Sequence, residues 1–363
     1  MQKTSLPITV LMAAYNTEKF LHAAIDSILN QSFPEFELLI INDGSTDASG
    51  DIIASYRDDR IRCVTNEENM NLCRSLAKGV MLARGEFIAR MDADDIAHPT
   101  RLEKQLAAMR AQRDLDLLGT NVRWIDENDK VIGHPRVVAD PVELRWKVFF
   151  RNCFNHPTVM IRKTALERSG LNYGVIPDSI ASFLPERMDG IGDEDYLLFG
   201  QLCLHGKAGN LDQVLLDYRI HGNSLTSLFS HKQSVQTKRI SNALRVMYLQ
   251  QENDSDVNHS EFLSESPEVV QTATLKQIDA LAQKMLEGYI AHSVKRRLET
   301  QRRLHRAILL QGQQSLWRRV LVGLGLIFSR APLKMTDFPL LVRYAFGDKF
   351  ADLYKRHLRV RSL

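Results

Sequence analysis

The first hundred residues switch repeatedly between two hydrophobic periods. Residues 8–14 form a short, nearly continuous apolar run with β-branched members, as in a strand buried on both faces. Residues 18–31 then carry Phe20, Leu21, Ala24, Ile25, Ile28 and Leu29 at helical spacing, and Pro34 ends the pattern. The pair recurs: strand 36–41 with helix 49–57, strand 61–65 with helix 71–83, and strand 86–91 with helix 101–113 beyond Pro99. Strands alternating with helices predict a mostly parallel α/β sheet with helices on its faces.

Beyond residue 113 the pattern loosens. Residues 115–125 and 131–132 read as strands around an Asn-Asp turn, 141–150 as a helix, and 158–162 as a short strand after His156-Pro157. Residues 172–192, rich in Gly, Pro and Asp, read as a loop. A helix over 193–203 and a final strand over 214–220 follow. From Ser234 only helical runs remain, at about 234–251, 269–310, 313–328 and 337–357, with a polar linker at 252–266.

Open parallel sheets bind ligands at the carboxyl ends of their strands. Tyr15, Asp43 and the run Met91-Asp92-Ala93-Asp94-Asp95 each fall at such an end. Three carboxylates in four residues repel one another unless something positive sits among them, and hard oxygen donors suit Mg²⁺ or Mn²⁺. Magnesium takes one or two protein carboxylates and leaves the rest of its shell to substrate phosphates. The cluster therefore points to an enzyme that handles a diphosphate through a divalent ion. The alternative is a solvated helix cap before Pro99.

Composition narrows the picture. At 363 residues the chain exceeds one average domain, and 44% hydrophobic with 25% charged residues is ordinary for a globular protein. Residues 292–363 hold 16 Lys and Arg against 4 Asp and Glu, a net of +12, which leaves −9 for the rest of the +3 total. An acidic body with a basic tail implies an anionic partner for the tail. The scattered Cys63, Cys73, Cys153 and Cys203 form no CxxC pair, so reduced thiols in a cytoplasmic protein are expected. The N-terminus reads as a first strand, not a signal peptide. No run approaches the roughly 20 apolar residues of a spanning helix. Ala13-Ala14-Tyr15-Asn16 after the first strand is neither a GxGxxG turn nor a basic phosphate loop. This argues against a dinucleotide-dependent oxidoreductase and a sugar-phosphate nucleotidyltransferase.

Six segments occur in one order: ITVLMAAYN, LLIINDGSTD, GEFIARMDADDIAHPTRLEKQ, HPTVMIRK, GDEDYLLFGQLCLHG and LLDYRIHGNSLT. Together, over about residues 6–227, the chain resembles the family 2 glycosyltransferases of GT-A fold, of the bacterial surface-polysaccharide type. The resemblance implies a catalytic domain over 1–228, with a nucleotide-sugar half at about 1–115 and an acceptor half at about 116–228. A helical C-terminal extension would follow over 229–363. It implies an inverting, metal-dependent transfer from a nucleotide-sugar, with a UDP-sugar expected, to a hydroxyl of a glycan or lipid-linked acceptor. An inactive, transferase-like scaffold in a membrane-associated synthesis complex is the alternative.

By the same resemblance Ala13 and Tyr15 line the base pocket, although Tyr15 taken alone reads first as a core aromatic. Asp43 accepts from the uracil imide, a task for a group that presents only acceptors; its other possible role is capping the next helix. Asp92 faces the ribose and the metal, Asp94 is the firmer ligand for Mn²⁺ or Mg²⁺, and Asp95 bonds backbone amides of the following turn. Asp195 is the general base, with Glu194 and Asp193 as rivals. His221 reaches the metal or the diphosphate, or is a packed surface residue; Arg219 is placed to meet phosphate. His156 shapes the acceptor side or fixes a turn. Two departures from the family pattern stand out. Asn71-Leu72 and Lys78 replace its usual residues, and 172–192 is longer than the common connection.

The tail lies outside these motifs. Trp317, Val320, Leu321, Leu324, Ile327 and Phe328 share one helical face, with Arg318, Arg319 and Arg330 nearby. Such a face fits an anionic membrane surface, or a helical hairpin packed on protein. Its aromatics sit among aliphatics, which argues against nucleic acid. The expected location is cytoplasmic, peripheral on the inner face of the cell membrane.

Overall fold

The computed structural model describes residues 6–185, 193–222, 230–251 and 299. The helical runs and linker expected after 251, the basic tail, and positions 186–192 of the long loop lie outside these residues. The first of two compact units ends at Leu244.

The alternation read from the sequence is present in order. It comprises β1 (Ile8–Ala14), α1 (Glu18–Leu29), β2 (Phe36–Asn42), α2 (Ser49–Ser55), β3 (Ile61–Thr65), α3 (Leu72–Leu82) and β4 (Phe87–Asp92). A two-residue strand β5 (Ile96–Ala97), α4 (Arg101–Ala111), β6 (Leu115–Ile125), β7 (Val131–Gly133) and α5 (Pro141–Lys147) follow. A 3-10 turn at His156–Thr158 leads to β8 (Met160–Arg162) and α6 (Lys163–Ser169). A second 3-10 turn, Asp178–Phe183, sits within the expected loop; then come α7 (Glu194–His205), β9 (Lys207–Arg219) and α8 (Ser230–Gln251).

The sheet order is β3-β2-β1-β4-β8-β6-β9-β5, with β7 pairing β6 at the side. The ladders of β1 with β2, β1 with β4, β2 with β3 and β6 with β9 are parallel. Those of β8 with its neighbours, β5 with β9 and β6 with β7 are short and antiparallel. The core forms where Val10, Met12, Leu38, Ile40 and Met91 of the sheet meet Leu21, Ile25 and Ile28 of α1. On the other side α3 comes so close that the Gly79 position lies against the Leu11 side chain.

The structure departs from the sequence reading in three ways. β9 begins seven residues earlier than expected. Its first half is polar and pairs with β6 through register shifts, so neither alternation nor an apolar run marks it. There the buried Asn210 amide donates to Val138 O at 3.0 Å and Cys153 O at 3.1 Å. α6 was not foreseen because only Ala165 and Leu166 of its seven residues are buried; Gly170, at φ 67°, ends it. Helices expected to reach Gln31, Arg57, Arg113 and Phe150 stop two or three residues sooner, within ordinary end fraying.

Two buried polar devices fix the sheet. Thr9 Oγ1 donates to Glu37 Oε1 at 2.6 Å and accepts from the Gly85 amide at 2.8 Å. A Cβ at Gly85 would lie 2.3 Å from Thr9 N and 2.6 Å from Ile8 C, both backbone atoms that cannot rotate away. Gly85→Ala is therefore expected to cost about 1–3 kcal/mol of stability, read as a lower midpoint in chemical denaturation. The second device is Arg101, fully buried, whose Nη2 donates to Arg90 O at 2.5 Å and whose Nε donates to Gln105 Oε1 at 3.0 Å. Gln105 Nε2 in turn reaches Leu118 O at 3.0 Å and Thr158 O at 2.8 Å. Together they tie β4 to β6 and to the turn that carries His156.

Candidate active site

Parallel pairing brings three strand ends together. Ala13 lies in register with Asp92, and the amide of Asp43 donates to Ala14 O at 2.8 Å. Tyr15 projects from the end of β1 with 45% of its surface exposed, so it is not a core aromatic. Asn16 behind it holds a left-handed turn (φ 51°), and its Oδ1 accepts from the Thr46 amide at 2.9 Å.

Asp43 is buried, and its Oδ1 accepts from Asn66 Nδ2 at 2.7 Å and from the Met70 amide at 2.9 Å. It does not cap α2. The N-cap is Ala48, and Asp47 just before it accepts from the Ser49 amide at 2.9 Å. Asn66 also meets Ser75 Oγ and receives Lys78 Nζ at 2.6 Å. Asn71 caps α3 from a positive φ of 75°, accepting from the Arg74 amide. Asn66, Met70, Asn71, Arg74 and Lys78 line a cleft of about 550 Å³ beside Asp43. Lys78, one of the two departures from the family pattern, thus braces the group that holds Asp43.

The acidic cluster sits where β4 ends and β5 begins. One oxygen from each of Asp92, Asp94 and Asp95 can be chosen so that all three lie within 4.8 Å of one another. Arg90, buried beneath them, donates to Asp92 Oδ1 and to Met91 O. Asp94 Oδ2 meets His221 Nε2 at 2.8 Å. Asp95 Oδ1 accepts from the amide of Arg219 at 2.8 Å, so it reaches a distant strand and not the turn expected from the sequence. Asp95 Oδ2 is buried without a hydrogen-bond partner among the described residues. Desolvation, then the neighbouring Asp94, pushes Asp92 up; desolvation, then Asp94 and Asp92, pushes Asp95 well above the usual carboxylate range. An unpartnered buried oxygen among mutually repelling hard donors fits a divalent cation.

The Arg219 guanidinium is engaged inside the protein. Its Nε donates to Asp94 O at 2.8 Å and its Nη1 to Asp126 O at 2.9 Å; it pairs with Asp129 at 2.6 Å and stacks over Phe20. With only 2% of its side chain exposed, Arg219 organises the acidic turn where phosphate contact was expected.

The second acidic group opens α7. Asp193 holds a left-handed φ of 68°, and its Oδ2 accepts from Thr237 Oγ1 at 2.6 Å. Glu194 is buried. Asp195 Oδ2 accepts from Asn152 Nδ2 at 2.8 Å, and its Oδ1 from the Tyr196 amide at 2.8 Å. Desolvation, then Glu194 and Asp193, pushes the Asp195 carboxyl up to about 8. Desolvation raises Glu194 as well, and both Arg90 and Asp92 act on it electrostatically. The Tyr173 hydroxyl, also raised by desolvation, feels Arg90, Asp195, Glu194 and Asp92 together. The two acidic groups, about a hundred residues apart in sequence, therefore share one field, which Arg90 and Tyr173 also feel. Asn152 and Tyr173 escaped the sequence reading; an Asn beside a Cys and a Tyr inside a Gly-rich loop carry no local pattern.

Comparison with known proteins bears on family and fold. Residues 9–169 match the family described as Glycosyl transferase family 2. The chain is 32% identical over 256 residues to the Escherichia coli O-antigen biosynthesis glycosyltransferase WbnJ, spanning 66% of this chain and 94% of that relative. It is 27% identical over 226 residues to the E. coli UDP-Glc:alpha-D-GlcNAc-diphosphoundecaprenol beta-1,3-glucosyltransferase WfaP, spanning 61% of this chain and 80% of that one. The crystal structure of S. aureus TarS 1–349 in complex with UDP superposes with a TM-score of 0.51 at 16% identity, covering 94% of this chain and 92% of that one; the fold is GT-A. The ordered motifs, the coverage of WbnJ and the GT-A sheet make this chain a member of glycosyltransferase family 2.

Proposed function

We propose that the protein is an inverting glycosyltransferase that moves a sugar from a UDP-sugar to a hydroxyl of a glycan or lipid-linked acceptor in surface-polysaccharide synthesis. The observation that carries this reading is that the acidic cluster at the end of β4 and helix α7 meet around one buried group: Arg90 donates to Asp92 and to His156, and His156 packs on Phe199 of α7. On one side Ala13, Tyr15 and Asp43 frame a nucleotide base, with Asp43 oriented by Asn66. Asp92 and Asp94, with His221 against Asp94, would hold Mn²⁺ or Mg²⁺, which when bound offsets charge on a diphosphate. On the other side Asp195 takes the acceptor hydroxyl's proton as that oxygen attacks the anomeric carbon opposite the leaving nucleotide. Burial, then the neighbouring Glu194 and Asp193, keeps the base's proton affinity high enough for that task. No covalent enzyme intermediate is needed.

The donor and acceptor classes are supported by the relative WfaP, named for transfer from UDP-Glc to alpha-D-GlcNAc-diphosphoundecaprenol. Among the described residues no helix is long and apolar enough to cross a membrane. A cytoplasmic enzyme that meets a lipid-linked acceptor at the inner membrane face is consistent with both facts.

The test is a panel of UDP-, GDP- and dTDP-sugars with Mn²⁺ and bacterial lipid extract, scored by release of the free nucleotide. Release from a UDP-sugar that depends on the extract is expected. No release from any donor would favour the scaffold reading instead.

A further inference from the structure

The sequence left His156 with a choice between shaping the acceptor side and fixing a turn, and its surroundings say more. Its Nε2 faces two donors: Arg90 Nε at 3.3 Å and the Tyr173 hydroxyl at 3.0 Å. One imidazole lone pair serves both, so this nitrogen carries no proton. Desolvation and the adjacent Arg90 hold the ring well below its usual pKa, consistent with that tautomer. Each donor belongs to a different half of the site. Arg90 donates onward to Asp92, and Tyr173 lies in the field of Glu194 and Asp195. The imidazole also meets Phe199 of α7 edge-on, with ring centroids 5.7 Å apart. The 3-10 turn that carries His156 is itself pinned: Thr158 O accepts from Gln105, the partner of Arg101.

We propose that His156 is a positioning residue that ties the end of β4 to the start of α7, so that Asp92 and the Glu194–Asp195 pair keep one mutual geometry. This rests on the transferase reading above. Without the tie each half of the site persists, but their separation drifts. A misplacement of about 1 Å between reacting groups costs on the order of 100-fold in rate.

Three substitutions separate this role from simple packing. His156→Leu fills the space and accepts nothing. His156→Gln places a carbonyl oxygen near the Nε2 position and accepts from both donors. Tyr173→Phe cuts one arm and leaves the other. With UDP-glucose and UDP-N-acetylglucosamine as probes, H156L is expected to lose about 100-fold in kcat. Y173F is expected to lose about tenfold, the worth of one buried hydrogen bond. H156Q recovers most of the H156L loss. UDP binding with Mn²⁺, measured by calorimetry, weakens in H156L and not in Y173F, because only the former frees Arg90.

The double variant H156L/Y173F should be no slower than H156L, since both act through one acceptor. Multiplicative losses in the double variant, an H156Q as slow as H156L, or a Y173F with wild-type kcat would each overturn the proposal. Should H156L fail to fold, the H156Q and Y173F results decide it. Loss of activity in Asp195→Asn with full activity in H156L would remove this inference and leave the base assignment standing. Full activity in Asp195→Asn with the expected His156 series would do the reverse.

Discussion

Asp195→Asn is expected to lower sugar transfer by on the order of 10³-fold, within the range that a positioned general base contributes, while UDP binding stays near wild type. The substitution keeps an oxygen for the Tyr196 amide and removes only the group that accepts a proton. The pH dependence makes the prediction sharper. With its carboxyl pushed up to about 8, Asp195 is mostly protonated at neutral pH in the free enzyme, so kcat/KM should rise with pH and level off above about 8. That limb belongs to the coupled acids 193–195 together. Asn152 donates to Asp195 and favours its ionised form, so Asn152→Leu should move the limb to higher pH. The same shift sets the sign for stability. A carboxyl whose folded pKa lies above its unfolded value takes up protons on folding. Its contribution is greatest below about pH 4 and is lost as pH rises toward about 8. Asp195→Asn should therefore flatten the decline in stability between those limits, measured by denaturant titration across pH. A transfer rate unchanged in the Asn variant would eliminate Asp195 as the base.

The parts of this site that sequence reading reached are those set by chain-local rules. A strand ends and a turn begins at the carboxyl edge of the sheet, which is how Tyr15, Asp43 and Asp92 stood out; Ala13 was added only by the family resemblance. The acidic pair opening α7 was singled out by the family resemblance, since three acids at a helix start also serve the helix dipole. What stayed hidden depends on long-range pairing. Asn66 orients Asp43 from 23 residues away, and His156 reaches Arg90 across 66. Asp95 and Arg219 are joined because β9 returns beside β5, and the polar first half of β9 carries no hydrophobic signal. Arg219 shows the cost of judging a charged residue by type alone. An Arg near phosphate chemistry reads as a phosphate ligand, yet two carbonyls and Asp129 engage its Nε and Nη1.

Asp94→Asn tests the other half of the site and separates two opposing effects of one charge. The amide keeps an oxygen for His221, so the local packing survives while the charge goes. Without metal, Asp94 destabilises the cluster, since its charge raises both Asp92 and Asp95. Removing it should raise the metal-free thermal midpoint, by an amount near the roughly 1 kcal/mol of two unit charges about 4 Å apart in a water-like medium. With metal the sign reverses. A cation that binds only the folded state at about 100 times its Kd stabilises by about 2.7 kcal/mol, and a cluster deprived of its firmer carboxylate forfeits most of that. The variant should thus melt higher than wild type in chelator and lower than wild type in excess Mn²⁺, with crossing curves in a Mn²⁺ titration followed by thermal denaturation. UDP affinity should be no weaker than wild type in chelator and weaker than wild type in Mn²⁺, because a bound cation carries the diphosphate contact. A midpoint that moves in one direction under both conditions would mean that Asp94 supports the fold and holds no ion. Asp92 and Asp95 would then have to supply the cation's ligands alone, and the repulsion stored among the three acids would lose its functional reason.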